Sequence, residues 1–175
     1  GLASVPVYLD ELALSIKAFL EIPGRLVDPV AESSFDAWIK LYRPHENTRN
    51  ATVSYYLKGS LIALLLDLTI RDASDGERAL DDVLRALWRL HLSRPEEGYD
   101  EAEVLAALEE AAGRSLLPEV DAWVHGTDEL PFTDLFAKFG LALEPRGEAA
   151  FSPGTRRDRG ARDDRYGRSS DRRRG

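Results

Sequence analysis

The sequence feature that most constrains the fold is the apolar run at residues 52–70, TVSYYLKGSLIALLLDLTI. Lys58 and Asp67 leave only eight uncharged residues between them, whereas a membrane-spanning helix needs about 20 apolar residues. The run therefore predicts a helix at about residues 54–71 that is buried on most sides at the centre of a soluble core. Its first turns are unusual for a purely structural helix, because they contain two adjacent tyrosines, a lysine and a glycine.

Composition limits the classes of protein to which the chain can belong. It has 175 residues, of which 43% are hydrophobic, and this is enough for one domain with a core. There is no cysteine, so disulfides, thiolate metal sites and a cysteine nucleophile are excluded. The N-terminus lacks the basic region of a signal peptide, and the chain contains no methionine. We expect a soluble chain without a signal or transmembrane segment, cut from something longer, whose compartment is unknown.

Charge is distributed unevenly along the chain. The net charge is −8 at pH 7, but residues 156–175 contain nine Arg and four Asp, so this segment carries +5 and the rest carries −13. An acidic body argues against nucleic acid as a ligand. Because Arg, Asp, Gly and Ser dominate the end of the chain, we expect residues 146–175 to be a disordered tail after a helical domain of residues 1–145.

Helical spacing of apolar residues continues through the body, and no alternating strand pattern competes with it. The sequence therefore predicts an all-α fold of about seven helices. One helix begins after Asp100, with Glu103 in the capping-box position, and ends at Gly113. Two other helices have apolar faces of the kind that pack against a core. These faces are Phe35, Trp38, Ile39 and Tyr42 on a short helix capped by Ser33 or Ser34, and Leu80, Val83, Leu84, Leu87, Trp88 and Leu92 (or His91) on a longer one.

The residue types that can bind metals or activate water do not occur here in the spacing of a known site. No two of His45, His91 and His125 are four residues apart and there is no H-E-x-x-H, so this chain alone is predicted to bind no metal. Asp67 interrupts an apolar helix, which favours a paired carboxylate in the core. The acidic pairs typical of solvated faces are Asp81–Asp82, Glu96–Glu97 and Glu109–Glu110.

The tyrosines at the start of the central helix, Tyr55 and Tyr56, are the remaining candidates for chemistry. A phenol at a helix start can donate a hydrogen bond to an oxyanion that forms beside it. Gly59 would let another backbone or side chain approach closely. A pair of buried, hydrogen-bonded tyrosines in the core explains the same residues, and spacing alone does not decide between the two interpretations.

Several stretches, in order, resemble the glycyl aminopeptidase family of zinc metallopeptidases. The resemblance covers about residues 1–144 and implies the C-terminal helical lobe of a thermolysin-like catalytic domain, which a PDZ domain usually follows. The stretches are Pro23-Gly24-Arg25, AESSFDAWIK at 31–40, Tyr42-Arg43-Pro44, Glu46-Asn47, SYYLKG at 54–59, Ala112-Gly113, VHGTDELP at 124–131 and Phe139-Gly140-Leu141.

The resemblance also implies which parts of the family's site this chain carries. The family holds zinc through an H-E-x-x-H helix and a glutamate on the next helix, and these would precede Gly1. The expected PDZ domain is also missing, which leaves open whether the Arg-rich end is natural. In related aminopeptidases the tyrosine of a Tyr-x-Lys-Gly motif stabilises the tetrahedral intermediate. Tyr56, Lys58 and Gly59 match that motif, so Tyr56 is implied to be catalytic and Tyr55 structural.

The implied function is one wall of a peptide-binding cleft in an aminopeptidase that removes Gly or Ala from peptides. Zinc is the implied cofactor of the whole enzyme, and the missing N-terminal lobe and a peptide substrate are the partners, with no nucleic acid or membrane. The alternative is a non-catalytic helical interaction domain derived from this family. A fully buried Tyr56, with no cleft beside it and no exposed apolar face, would favour that alternative, because a lobe taken from a two-lobed enzyme exposes the surface that its partner covered.

We expect the isolated chain neither to hold zinc tightly nor to hydrolyse peptides, because it lacks H-E-x-x-H and the glutamate ligand. Zinc content after dialysis and cleavage of glycyl and alanyl peptides measure the two properties. Hydrolysis by the chain with stoichiometric zinc would contradict the expectation. An upstream reading frame that encodes H-E-x-x-H and then a glutamate in a helix ending shortly before Gly1 would support the implied lobe.

Overall fold

The computed structural model describes residues 3–40 and 42–144, in which helices alternate with turns and loops and no strand occurs. The predicted all-α class is confirmed for these residues, whereas the tail predicted at residues 146–175 lies outside them. The elements, in order, are α1 (Val5–Leu20), a 3-10 turn (Pro23–Leu26), α2 (Val30–Phe35), α3 (Ala37–Lys40), α4 (Thr48–Ala51), α5 (Tyr55–Ala73), α6 (Leu80–Ser93), α7 (Glu101–Ala112), α8 (Leu117–Val120), a π-helical turn (Asp121–His125) and α9 (Phe132–Lys138).

Helix α5 lies at the centre of the core, as predicted, and packs against α1, α2, α6, α7 and α9. It begins where the Ser54 hydroxyl accepts a hydrogen bond from the Leu57 amide at 3.4 Å. Leu65 and Ile70 are completely buried within the core cluster. Burial of large aliphatic side chains is the main stabilising contribution that a helix of this composition makes.

Polar contacts at the ends of the next helices also follow the sequence prediction. Asp67 is a paired carboxylate, which accepts hydrogen bonds from Arg71 Nε at 2.7 Å and from the Leu80 amide at 2.8 Å. It therefore joins the end of α5 to the start of α6. Before α7, Asp100 and Glu103 form the predicted capping box, and Gly113 ends that helix with a φ of 69°.

Helix α6 buries less of its apolar face than predicted. Val83 is buried, but Leu84, Trp88 and Leu92 are 58–61% exposed. The helix packs against α5 and α7, and these neighbours cover only part of a stripe that is continuous in sequence. The expectation that the whole stripe packs against the core is therefore wrong.

The short helix predicted to start at Ser33 or Ser34 starts earlier, at Val30, directly after Pro29. Ser33 lies inside α2 and is buried, so it does not cap the helix. The apolar residues assigned to one face of this segment are all exposed, because none of the described elements covers them. They are Phe35, Trp38, Ile39 and Tyr42.

The stretch Thr48–Ala73, which contains α5, is long and apolar enough to cross a membrane, because an 18-residue window within it has a mean hydropathy of 1.4. The central helix of a water-soluble core passes the same test, and 44% of this window is buried inside the protein. Lys58 lies within the stretch and is completely buried. Packing at the centre of the fold therefore accounts for the apolar composition of α5.

Leu65→Ala should lower the free energy of unfolding by about 2–5 kcal/mol, because it leaves a cavity in the centre of the core. Leu84→Ala is the matched control, since Leu84 is also on a helix but is 58% exposed, and it should change stability by less than about 0.5 kcal/mol. Urea denaturation measures both variants. Equal losses of stability would contradict the position assigned to α5.

Candidate functional site

The candidate site is the start of α5, where Tyr55 and Tyr56 occupy the first turn. Their rings stack with centroids 4.2 Å apart and an angle of 30° between the ring planes. Tyr56 is 64% exposed, whereas Tyr55 is half-buried. A molecule outside the chain can therefore reach Tyr56, while the Tyr55 ring supports it from one side.

The two phenols influence each other electrostatically. The Tyr56 hydroxyl raises the pKa of Tyr55 to about 12, and partial burial and the nearby Tyr42 contribute in the same direction. Tyr55 therefore keeps its proton throughout the neutral pH range. The effect of Tyr42 also indicates that this residue, which follows α3, lies near the pair.

Three stretches that are distant in sequence meet at this end of α5. They are the 3-10 turn, residues 52–54 and the loop 126–129. Gly24 lies so close to the chain entering α5 that a Cβ there would be 2.1 Å from the Thr52 carbonyl oxygen. The Arg25 guanidinium lies 2.9 Å from a Glu129 carboxylate oxygen. The turn is therefore attached both to the segment before α5 and to the loop after the π-helical turn.

Asp28 and Ser33 hold the residue that precedes the Ser54 cap. Asp28 is 2% exposed, and its Oδ2 accepts a hydrogen bond from the Val53 amide at 3.1 Å. The Ser33 hydroxyl donates to the Val53 carbonyl. Lys40 lies 3.4 Å from the other Asp28 oxygen and gives that carboxylate a counterion. Sequence reasoning missed Asp28, for which the only signal was a carboxylate directly before Pro29 and between apolar residues.

Lys58 is completely buried one turn into α5. Its ammonium group donates a hydrogen bond to the Gly126 carbonyl at 3.3 Å. Burial lowers the pKa of Lys58, while the negative charges of Asp28 and Asp128 oppose that shift. The structure thus places this part of the Tyr-x-Lys-Gly motif in the interior, although Tyr56 is at the surface.

Gly59, the last residue of the motif, has no close neighbour in the described part of the chain. A Cβ at Gly59 would meet no heavy atom within 4 Å. The predicted close approach therefore does not occur between the residues that the structure describes. A glycine inside a helix destabilises it by about 0.5–1 kcal/mol relative to alanine.

The three histidines lie apart, each with a local partner. His45 Nδ1 accepts a hydrogen bond from the Asn47 amide, His91 lies beside the Trp88 ring, and His125 contacts Glu101. Within residues 3–40 and 42–144, no group of three or more His, Cys, Asp or Glu side chains could hold a metal ion. These residues do not fit a zinc site.

Two shallow cavities lie away from the tyrosines. One of about 110 Å³ is lined by Arg78, which precedes α6, and by residues of α6 and α7 that include Glu110, and one of about 240 Å³ lies beside Trp123 and Leu135. Tyr56 lines neither of them.

Tyr56→Phe should lower the pKa of Tyr55 from about 12 toward its ordinary value of 10.0, because it removes the hydroxyl that raises it. Titration of tyrosine Cζ signals by NMR measures this shift. Between these pH values, Tyr55 keeps its proton in the folded chain and loses it in the unfolded chain. The contribution of the protonated Tyr55 to the free energy of unfolding is therefore lost as pH rises from about 10 to about 12. An unchanged Tyr55 pKa in the variant would contradict the interaction.

A comparison with known protein families finds a match for the segment that contains the candidate site. Residues 1–62, about a third of the chain, match the family model described as M61 glycyl aminopeptidase. The match includes SYYLKG at 54–59 and ends within α5. No curated protein and no solved structure matches the chain. The resemblance to the glycyl aminopeptidase family is thus confirmed for residues 1–62 and stays a prediction for the residues that follow.

Proposed function

We propose that this chain is the C-terminal helical lobe of a zinc aminopeptidase that removes small N-terminal residues, such as Gly or Ala, from peptides. The observation that carries the proposal is the position of Tyr56, which is 64% exposed at the start of α5. It lies in the segment that matches the glycyl aminopeptidase family. In this proposal, the lobe forms one wall of the peptide cleft and Tyr56 faces the bound substrate.

The exposed aromatic face formed by Phe35 at the end of α2, Trp38 in α3 and Tyr42 after α3 supports this proposal. Phe35 is 88% exposed and Trp38 81%, and the rings of Trp38 and Tyr42 lie 5.4 Å apart. Because Tyr42 acts on the pKa of Tyr55, this face extends to the tyrosine pair. Exposed apolar patches of this kind mark surfaces that a partner covers. We assign the face to contact with the N-terminal lobe that carries the zinc site.

Helix α1 supports the same assignment. Its second half contributes Ile16 and Phe19 to the core, where each is 1% exposed. Its first half leaves Val5 70% and Tyr8 53% exposed. Because α1 would directly follow the N-terminal lobe in the chain, its exposed half is well placed to pack against that lobe.

The chemical contribution of this chain is a hydrogen-bond donor. Attack of water on the carbonyl carbon of the first peptide bond turns the carbonyl oxygen into an oxyanion. The Tyr56 phenol donates to that oxygen, and the interaction strengthens as negative charge develops, so it lowers the barrier. The stacked Tyr55 ring limits the rotation of Tyr56. Zinc and the general-base glutamate would come from the N-terminal lobe.

A helical interaction domain without catalytic activity is the second candidate function. The exposed aromatic face of Phe35, Trp38 and Tyr42 favours it as well, because a different protein could cover the same apolar surface. The two functions differ in what they require of Tyr56. Catalysis requires its hydroxyl, whereas a binding surface requires mainly its ring.

In the full-length enzyme, Tyr56→Phe should lower kcat about 10²–10³-fold, because the oxyanion loses a donor whose interaction is formed mainly in the transition state. KM should change little. Hydrolysis of glycyl and alanyl nitroanilides measures both constants. Tyr55→Phe is the matched control, since it removes a neighbouring phenol without removing the donor, and it should retain kcat within a few-fold.

Two results would contradict the proposal separately. A protein translated from the complete reading frame that neither binds zinc nor cleaves these substrates would exclude the aminopeptidase and favour the interaction domain. An active enzyme in which Tyr56→Phe retains the wild-type kcat would keep the aminopeptidase but remove the role of Tyr56.

A further inference from the structure

Lys58 is an ionisable side chain at the site to which the reaction assigns no task. It is 0% exposed, and its ammonium donates to the Gly126 carbonyl. Lysine is rarely buried to this extent unless it is paired, because removing an ammonium group from water is costly. Asp28 and Asp128 act on it electrostatically and offset part of that cost. A residue of similar size without a charge would fill the same space, which suggests that the charge and the donated hydrogen bond serve a purpose.

The partner of Lys58 is held by an irregular piece of backbone. Gly126 directly follows the π-helical turn Asp121–His125. Such turns break the regular helical hydrogen-bond pattern and occur frequently at functional sites. A Cβ at Gly126 would lie 2.7 Å from the Ala122 carbonyl oxygen, so only glycine fits without a shift. The Gly126 carbonyl therefore has a defined position toward which Lys58 extends.

Lys58 and Tyr56 point to different sides of the same helical turn. They are two residues apart, which corresponds to roughly 200° around the helix axis, and they are completely buried and 64% exposed respectively. A contact that fixes the inner side of this turn also limits rotation of its outer side. The rotation of α5 about its own axis determines where the Tyr56 ring points.

We propose that Lys58 is a positioning residue, which clamps the first turns of α5 to the Gly126 carbonyl and thereby sets the orientation of the Tyr55–Tyr56 pair. Its catalytic consequence rests on the proposed function, whereas the clamp is a property of this chain. The loop that contributes Gly126 is also attached to Arg25 through Glu129. Movement of that loop would therefore be transmitted to the tyrosines.

Lys58→Met tests the clamp in this chain, because it preserves most of the side-chain volume and removes the charge and the donor. Buried charges are often replaced by apolar groups without loss of folding. We expect the Tyr55 pKa to move from about 12 toward 10.0 as the tyrosine pair loosens, measured by NMR titration. Lys138→Met is the matched control, since it removes a lysine that is paired with Asp72 at the opposite end of α5, and it should leave the Tyr55 pKa at the wild-type value. A purely structural role would lower stability without this shift.

Gly126→Ala tests the same contact from its other side. The added methyl group should displace the Gly126 carbonyl and move the Tyr55 pKa in the same direction. Gly98→Ala is the control, because a Cβ there meets no heavy atom within 4 Å. If neither variant folds, hydrogen exchange in the wild-type chain still tests the clamp. The Lys58 ammonium protons should exchange slowly with water, and fast exchange would overturn the clamp.

The outcomes separate the clamp from the proposed function. An unchanged Tyr55 pKa in both folded variants overturns the clamp, whatever the enzyme does. In the full-length enzyme, the clamp predicts that Lys58→Met lowers kcat with little change in KM, and that it causes no further loss in a Tyr56→Phe background. Wild-type kcat in Tyr56→Phe would overturn the proposed role of Tyr56, while the titrations still decide on the clamp.

Discussion

The hydrogen bonds that Asp28 and Ser33 make with the Val53 backbone are the constraint on which the geometry of this fold's candidate site depends. They fix the residue before the Ser54 cap, and the cap determines where α5 begins. Both side chains are buried, so water does not compete for these contacts as it would at the surface. Because α5 occupies the centre of the core, a shift at its first residue would alter both the packing behind it and the tyrosines in front of it.

The two ends of α5 differ in composition and burial. Leu65 and Ile70 stabilise the fold by burial in the second half of α5. At the first turn, Lys58 is buried and Tyr56 is exposed, so polar groups replace aliphatic packing. Buried polar groups cost stability unless they are paired, but when they are paired they restrict orientation. That restriction is what a hydrogen-bond donor needs if it is to meet a developing charge.

Much of the helical architecture could be predicted because its causes are local. The capping box of Asp100 and Glu103 and the left-handed Gly113 involve only residues close in sequence, and both were predicted. The burial of α6 could not be predicted in the same way. Spacing identifies an apolar stripe, but the neighbouring helices determine how much of it is covered, and Trp88 therefore remains exposed.

The sequence by itself determined the all-α class and the central helix, and through a resemblance whose family match covers residues 1–62 it predicted Tyr56 rather than Tyr55 as the candidate site residue. Only the tertiary structure decided that Tyr56 is accessible and that Lys58 is buried against Gly126, 68 residues further along the chain. It also revealed Asp28, which is 25 residues before Val53. Helical periodicity reports which face of a helix is apolar, whereas contacts between distant segments depend on how the helices pack.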